Sequence, residues 1–243
     1  MKMMRIMTKS IFTVALLAML ISLPAFGASI NKSVKVEAGA ESSGASSVNG
    51  SVSVGEDAVV TGNVRTVNGK VRVDSGAMIE SASTVNGSLK IAANVQANDL
   101  STVNGSVKVG ESSTVSGEIE AVNGSIRIEK GTTIGGNVGN VNGKIELTGA
   151  EVGGDVSTVN GDVRLDGGTI VKGDLVVEKP SGWGWGKGKS HKPRIVIGPG
   201  SVVVGNIALE REVELYISES AKVGGVTGVM SIDDAERFSG ENP

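Results

Sequence analysis

One tripeptide recurs along this chain at a nearly constant interval. Val-Asn-Gly occurs seven times, and its asparagines stand 18 or 19 residues apart. These asparagines are Asn49, Asn68, Asn86, Asn104, Asn123, Asn142 and Asn160. Asn31, in "INKSVKV", occupies the same place one period earlier. A fixed period of this length predicts an array of stacked structural repeats.

Apolar and polar residues alternate inside each repeat. An apolar residue stands one place before the asparagine and others three and five places after it, as in Val103, Val107 and Val109. This alternation is typical of a strand with one buried face, so we expect these three valines to face the core. Two further apolar clusters follow before the next asparagine. Each repeat therefore holds three short strands.

Three strands per repeat predict an all-β fold. We expect a single-stranded parallel β-helix, or solenoid, with three sides and about ten rungs over residues 28–229. A second glycine marker extends the array, because "GDV" at Gly154 has counterparts in "GNI" at Gly205 and "GGV" at Gly224, after Val-Asn-Gly has stopped. Right-handed coiling is predicted from the usual hand of parallel crossovers; left-handed coils built on hexapeptide repeats are the alternative.

Residues 1–27 have the pattern of a secretory signal. Three basic residues precede an apolar stretch that is short for a bilayer span, and small residues follow it up to Gly27, where cleavage is predicted. An uncleaved membrane anchor is the alternative. Export predicts a periplasmic protein, or else one at the cell surface or secreted. The remaining chain carries 20 basic and 26 acidic residues, which gives no reason to expect nucleic acid binding.

Units such as "VNGSVKV", "VSGEI" and "IGGNV" resemble those of the bactofilins, which are polymer-forming β-helix proteins of bacteria. They also resemble adhesin-like families with short β-strand repeats. The resemblance covers about residues 30–228 and implies a right-handed, three-sided β-helix that can associate end to end into filaments. Bactofilins are typically cytosolic, whereas this chain has an export signal, so a role in the envelope or at the surface is expected.

The seven asparagine-glycine pairs are interpreted as structural corners. Asparagine tolerates a left-handed backbone, glycine supplies a positive φ, and stacked amides can bond to one another. The alternative is an amide ladder that binds a glycan or a metal ion.

A basic stripe is expected on the outer side of the first strand of each repeat. The position four places after the asparagine holds Lys35, Ser53, Arg72, Lys90, Lys108, Arg127, Glu146 and Arg164. The six cations could bind an anionic glycan or envelope polymer. The alternative is a solvated face whose repulsion is relieved by acids two places further on.

Residues 179–194 interrupt the repeat with a glycine-rich loop. The loop carries Trp183 and Trp185 beside Lys187 and Lys189. Its tryptophans could stack on a sugar ring or contact a membrane interface while the cations meet anionic groups. The alternative is a flexible insertion whose rings fold back over the solenoid.

Catalytic and metal-binding constellations are scarce. The chain has one histidine and no cysteine, so the usual zinc sites and the nucleophile-histidine pairs lack their parts. Paired carboxylates remain at Glu118 with Glu120 and at Asp155 with Asp174. We expect neither enzyme activity nor a cofactor or metal.

The acidic tail, residues 230–243, is expected to cap the last rung through a short helix over residues 234–238, with Phe238 as its apolar contact. No similar cap precedes the first rung. The sequence therefore predicts an exported, non-enzymatic structural protein of the cell envelope that associates with itself end to end. The alternative is an adhesion or ligand-binding module that uses the basic stripe and the tryptophan loop.

Overall fold

A computed structural model describes residues 28–180 and 192–243. This part of the chain forms a parallel β-solenoid of about ten turns. The handedness of the coil stays a prediction. Its helical structure is limited to one 3-10 turn, Ile232–Asp234. The predicted signal peptide, Trp183, Trp185, Lys187 and Lys189 lie outside the described residues.

Each rung contributes a strand to each of three faces. The first face is a separate sheet of eleven strands: Val34–Val36, Val52–Val54, Val71–Val73, Leu89–Ile91, Val107–Val109, Ile126–Ile128, Ile145–Thr148, Val163–Asp166, Arg194–Ile197, Glu214–Ser218 and Glu236–Phe238. The other two faces form one sheet of seventeen strands, because four long strands continue from the second face to the third: Val59–Asn68, Met78–Asn86, Val202–Leu209 and Lys222–Gly228.

The remaining strands of that sheet belong to one face only. The second face adds Glu41–Ser42, Gln96–Ala97, Thr114–Val115, Thr133–Ile134, Glu151–Val152 and Ile170–Val171. The third face adds Ala28–Ser29, Ala45–Ser47, Asp99–Asn104, Ile119–Asn123, Val138–Asn142, Val156–Thr158 and Leu175–Val177. Three corners join the faces. We call them the asparagine corner (third to first face), the left-handed corner (first to second) and the acidic corner (second to third).

Equivalent residues of successive rungs stack in register. Val107, for example, pairs in parallel with Leu89 on one side and with Ile126 on the other. The register survives the insertion, since Val163 pairs with Ile195 although 32 residues separate them. Arg194 already belongs to a first-face strand, so the insertion lies between the third and first faces, at the asparagine corner.

One apolar core runs the length of the described solenoid. Its members are aliphatic, and many are fully buried, among them Ile126, Ile145 and Leu165. Each such side chain contributes about 2 kcal/mol of hydrophobic stabilisation. Val107 and Val109 belong to this core as expected.

The expectation for Val103 is wrong. Thr102 is fully buried, whereas Val103 lies on the outer side and is half-buried. The Thr102 hydroxyl donates to the carbonyl of Gly87 at 3.0 Å, and Thr84 makes the same bond to Gly69. A part-buried carbonyl still needs a hydrogen-bond donor, and a threonine hydroxyl at the inner position supplies one, which a valine cannot.

The corner glycines also differ from expectation. Of the seven Val-Asn-Gly glycines, only Gly143 has a positive φ. The others are required by close stacking: a Cβ on Gly105 would lie 1.7 Å from the carbonyl oxygen of Gly87. Residues of positive φ instead form the left-handed corner: Gly39, Asp57, Gly76, Asn94, Ser112, Gly131, Gly149, Gly167, Gly168 and Gly200.

The C-terminal tail adds a strand where a helix was expected. The 3-10 turn ends at Asp234, and Glu236–Phe238 then pairs with the first-face strand that precedes it. The Phe238 side chain is buried. The tail therefore extends the first face by one strand, because backbone pairing with an open edge satisfies more polar groups than a short helix laid across it.

We expect alanine substitution to lower the free energy of unfolding by different amounts at the two kinds of glycine. Gly105→Ala should destabilise the protein by about 3 kcal/mol or more, because the new methyl group meets a backbone carbonyl that cannot move alone. Gly131→Ala, where φ is +72° and the nearest atom is 3.3 Å away, should cost about 1 kcal/mol. Urea unfolding of both variants measures the difference; equal costs would contradict the stacking argument.

Candidate functional surfaces

The asparagine corner forms a continuous ladder of amides. Asn104 Nδ2 donates to Asn86 Oδ1 at 2.9 Å, and Asn104 Oδ1 accepts from Asn123 Nδ2 at 3.1 Å. The same bond links every successive pair from Asn31 to Asn160. The amides therefore satisfy one another along the corner, as the structural interpretation expects.

An arginine lies at the C-terminal end of the ladder. Arg211 Nη1 donates to Asn160 Oδ1 at 2.7 Å and to the carbonyl of Val159 at 3.1 Å. The last amide oxygen thus receives a charge-assisted hydrogen bond. Sequence reasoning missed Arg211, which stands 51 residues from Asn160 and outside any repeated motif.

The ladder predicts that replacing one of its amides by a carboxylate lowers the stability of the protein. Asn104→Asp should cost about 1 to 2 kcal/mol near neutral pH, because it removes a donor and places a charge against the oxygen of Asn86. Acidification below about pH 4 should reduce that cost, since a protonated carboxyl donates again. Thermal unfolding against pH measures both effects. Ser106→Asp, which adds the same charge at a neighbouring exposed residue, is the control.

The structure assembles the predicted basic stripe as one column on the outer side of the first face. Lys35, Ser53, Arg72, Lys90, Lys108, Arg127, Glu146 and Arg164 occupy equivalent positions of successive strands. Five of the six cations make ion pairs, so the stripe carries little uncompensated charge. The pairs are Lys35 with Glu37, Arg72 with Asp74, Lys108 with Glu129, Arg127 with Glu146, and Arg164 with Asp166. Lys90 has no ion pair with a described residue.

The positive charge of the stripe is further neutralised at its C-terminal end, from Arg127 to Arg164. Burial acts to raise the pKa of Glu146, but hydrogen bonds and charge from Lys144 and Arg127 outweigh it and hold the pKa below its ordinary value. Arg164 Nη2 also donates to the carbonyl of Glu241 and to the side chain of Asn242, at 3.1 and 2.8 Å. The tail therefore lies against the end of the stripe.

Carboxylates and amides at the acidic corner bond to the backbone of the next rung. Asp155 Oδ1 accepts from the backbone N–H of Asp174, and Asp174 Oδ1 accepts from that of Asn206, both at 2.8 Å. Asn137 does the same for Asp155. Because each oxygen fills the space beside a corner glycine, this geometry assigns Asp155 and Asp174 a structural role.

Glu118 and Glu120 form the second carboxylate pair. Burial, followed by the charge and a hydrogen bond of Glu118 and by the charge of Asp99, raises the pKa of Glu120 to about 7. Glu118 Oε1 accepts from Asn137 Nδ2 at 2.8 Å. Within residues 28–180 and 192–243, no three or more His, Cys, Asp and Glu side chains are grouped closely enough to hold a metal ion.

The Glu120 carboxyl predicts a pH dependence of stability. The folded state holds this proton more tightly than the unfolded state, so stability should fall as the pH rises from about 4.5 to about 7 and change little above it. Glu120→Gln should therefore stabilise the protein by about 1 to 2 kcal/mol at pH 8, allowing for solvent screening, and should confer no such gain at pH 4.5. Urea unfolding at both pH values tests this, with Glu41→Gln as the control. An equal gain at both pH values would contradict it.

Comparison with known proteins gives no evidence about function, so function has to be inferred from the fold and its surfaces. No protein-family model, curated protein or solved structure matches the chain. The solenoid is of the kind formed by β-helix repeat families. Among the described residues, no helix has the length and apolar character needed to cross a bilayer.

Proposed function

We propose that this protein is an exported, non-enzymatic component of the bacterial cell envelope that builds structure by end-to-end association. The observation that carries the proposal is the state of the terminal rungs, where strand edges and apolar core are left open among the described residues. The signal-like residues 1–27 support a periplasmic location, with the cell surface or secretion as the alternative.

The C-terminal rung is only partly covered. Lys222–Gly228 pairs with the strand before it and with no described strand beyond it. Val223 and Val226, which continue the inner columns, are half-buried, and Val229 is 58 % exposed. The tail strand Glu236–Phe238 extends the first face alone. An open edge beside an open core is a surface suited to strand addition.

The N-terminal rung of the described solenoid offers a matching edge. Val34–Val36 pairs with Val52–Val54 and with no described strand before it. Val34 and Ala40 are half-buried although they stand in inner columns. Since every rung stacks on the next in the same register, the last rung of one copy can continue into the first rung of another.

Binding of an anionic polymer is the weaker candidate. Ion pairs compensate most of the stripe, and the tryptophan loop lies outside the described residues. Surface pairs of this kind cost little to keep and give no net attraction for a polyanion. Self-association therefore has the better structural support.

Val226→Lys tests the end-to-end contact. An inward-pointing charge on a terminal strand blocks strand addition, so the variant should fold but should no longer form filaments. Thr227→Lys, with the same charge on an exposed neighbour, should behave like the original protein. Electron microscopy and sedimentation of the exported protein provide the measurement, and circular dichroism checks the fold. If the original protein stays strictly monomeric at high concentration, the proposal is wrong.

A further inference from the structure

The two ends of the described solenoid do not match. Within residues 28–180 and 192–243, the first and third faces each contain eleven strands, whereas the second face contains ten. The third face has its surplus strand, Ala28–Ser29, at the N-terminal end, and the first face has its surplus strand, Glu236–Phe238, at the C-terminal end. Copies in a continuous rod must advance by the same number of rungs on every face, so all three faces need equal numbers of strands.

The surplus strands obstruct a continuous joint while both stay in place. If Val34–Val36 of a second copy stacked on Glu236–Phe238, its Ala28–Ser29 would stack on the third-face part of Lys222–Gly228. Glu41–Ser42 would then lie two strand spacings from Lys222–Gly228 instead of one. The second face would therefore have a gap, which leaves backbone groups unpaired and opens the apolar core.

The tail strand is also a poor platform for growth. Arg237 pairs in register with Ile217, whose fully buried side chain belongs to the core. Val36 of a second copy would have to stack on Arg237, which is exposed in the separate molecule. A charge in an inner column of a terminal strand opposes strand addition, because the joint would bury it.

A short strap, residues 239–243, follows the tail strand and runs back over the outer side of the first face. Arg164 hydrogen-bonds residues 241 and 242, and Arg194 Nη2 donates to the carbonyl of Pro243 at 3.3 Å. Val196, next to Arg164 on this outer side, is only 3 % exposed, which indicates that the strap covers it. The strap's hydrogen bonds lie at the exposed surface and are individually weak, so it can detach without unfolding the rungs beneath it.

We propose that the free edge of Glu214–Ser218 is the docking site for Val34–Val36 of a second copy, and that the tail strand occupies this edge until the copies associate. The inference rests on the end-to-end association proposed above. Association requires Glu236–Phe238 to leave one copy and Ala28–Ser29 to leave the other. The second of these is held by pairing of only two residues.

Removal of both surplus strands leaves ten strands on every face. Glu41–Ser42 of the second copy then stacks on the start of Lys222–Gly228, and Ala45–Ser47 stacks on its end. All three faces continue across the joint without a gap. The joint thus repeats the stacking that joins successive rungs within one molecule.

The first strand of a second copy fits this edge better than the tail does. Val34 and Val36 stack on Leu215 and Ile217, both of which are buried core residues. The tail instead places Arg237 on Ile217. Val34 is half-buried at the N-terminal edge and becomes fully buried in the joint. Exchange of the tail for the second copy therefore completes the apolar core across the joint.

Weakening the tail tests the inference, because a destabilising change should then strengthen association. Phe238 is the buried side chain of the tail strand, and Phe238→Ala should lower the protein concentration required for assembly by about tenfold. Glu241→Ala, which removes only an exposed side chain of the strap, should leave that concentration unchanged. Sedimentation velocity and electron microscopy of the exported protein over a concentration series give the measurement, and circular dichroism checks the fold.

A disulfide that locks the tail provides the opposite test. Paired residues of neighbouring strands lie about 4.8 Å apart, which is within the range of Cα separations that a disulfide bridges. The chain has no cysteine, so Tyr216→Cys combined with Glu236→Cys gives one defined bond across the edge. The oxidised form should stay monomeric at a concentration at which the reduced form assembles. The same oxidant should not affect the unaltered protein.

The outcomes separate this inference from the end-to-end proposal. If neither Phe238→Ala nor the locked tail changes assembly, the inference is wrong and end-to-end association stands. If every form stays monomeric, Phe238→Ala included, both are wrong. Addition of Val226→Lys to Phe238→Ala should abolish the gain in assembly. A gain that survives this addition would show aggregation without the proposed register and would also overturn the inference.

Discussion

The closeness of the backbone at the asparagine corner is the constraint on which the rest of this structure depends. The carbonyl oxygen of one corner glycine occupies the space where a side chain of the next would begin. At this distance successive rungs exchange backbone hydrogen bonds around the corner, such as Gly87 N–H to the carbonyl of Asn104 at 3.0 Å. A repeat of 18 or 19 residues is the length that returns the chain to this contact, so all equivalent side chains fall into columns.

Much of the fold can be predicted from the sequence because equivalent positions carry the same type of residue in successive repeats. The period rests on seven copies of Val-Asn-Gly, the three strands per rung on apolar residues that recur in successive repeats, and the outward stripe on six cations at eight equivalent positions. This repetition does not show which residue faces inward at the asparagine corner. Threonine and valine are both β-branched and adjacent, and only the part-buried carbonyl of Gly87, in the preceding rung, shows that Thr102 must be inside and Val103 outside. The expectation of a positive φ at the corner glycines is wrong for a similar reason, since glycine serves both a positive φ and a close approach of two backbones.

Features that occur once were the least predictable. Arg211 reaches the ladder from two rungs beyond Asn160, a contact that depends on the length of a flexible side chain and on the path of the chain after the insertion. Compensation of the stripe was only partly visible, because Lys108 pairs with Glu129 of the following rung and not with a residue of its own strand. The tail became a strand because the first face still had an open edge to pair with.

The amide ladder gives the rod a direction. Each asparagine donates toward the N-terminal end, so the side-chain dipoles from Asn160 back to Asn31 are aligned. Copies stacked end to end would all keep this orientation, and the resulting thread would have two chemically different tips. We expect such a thread to grow at different rates at its two tips.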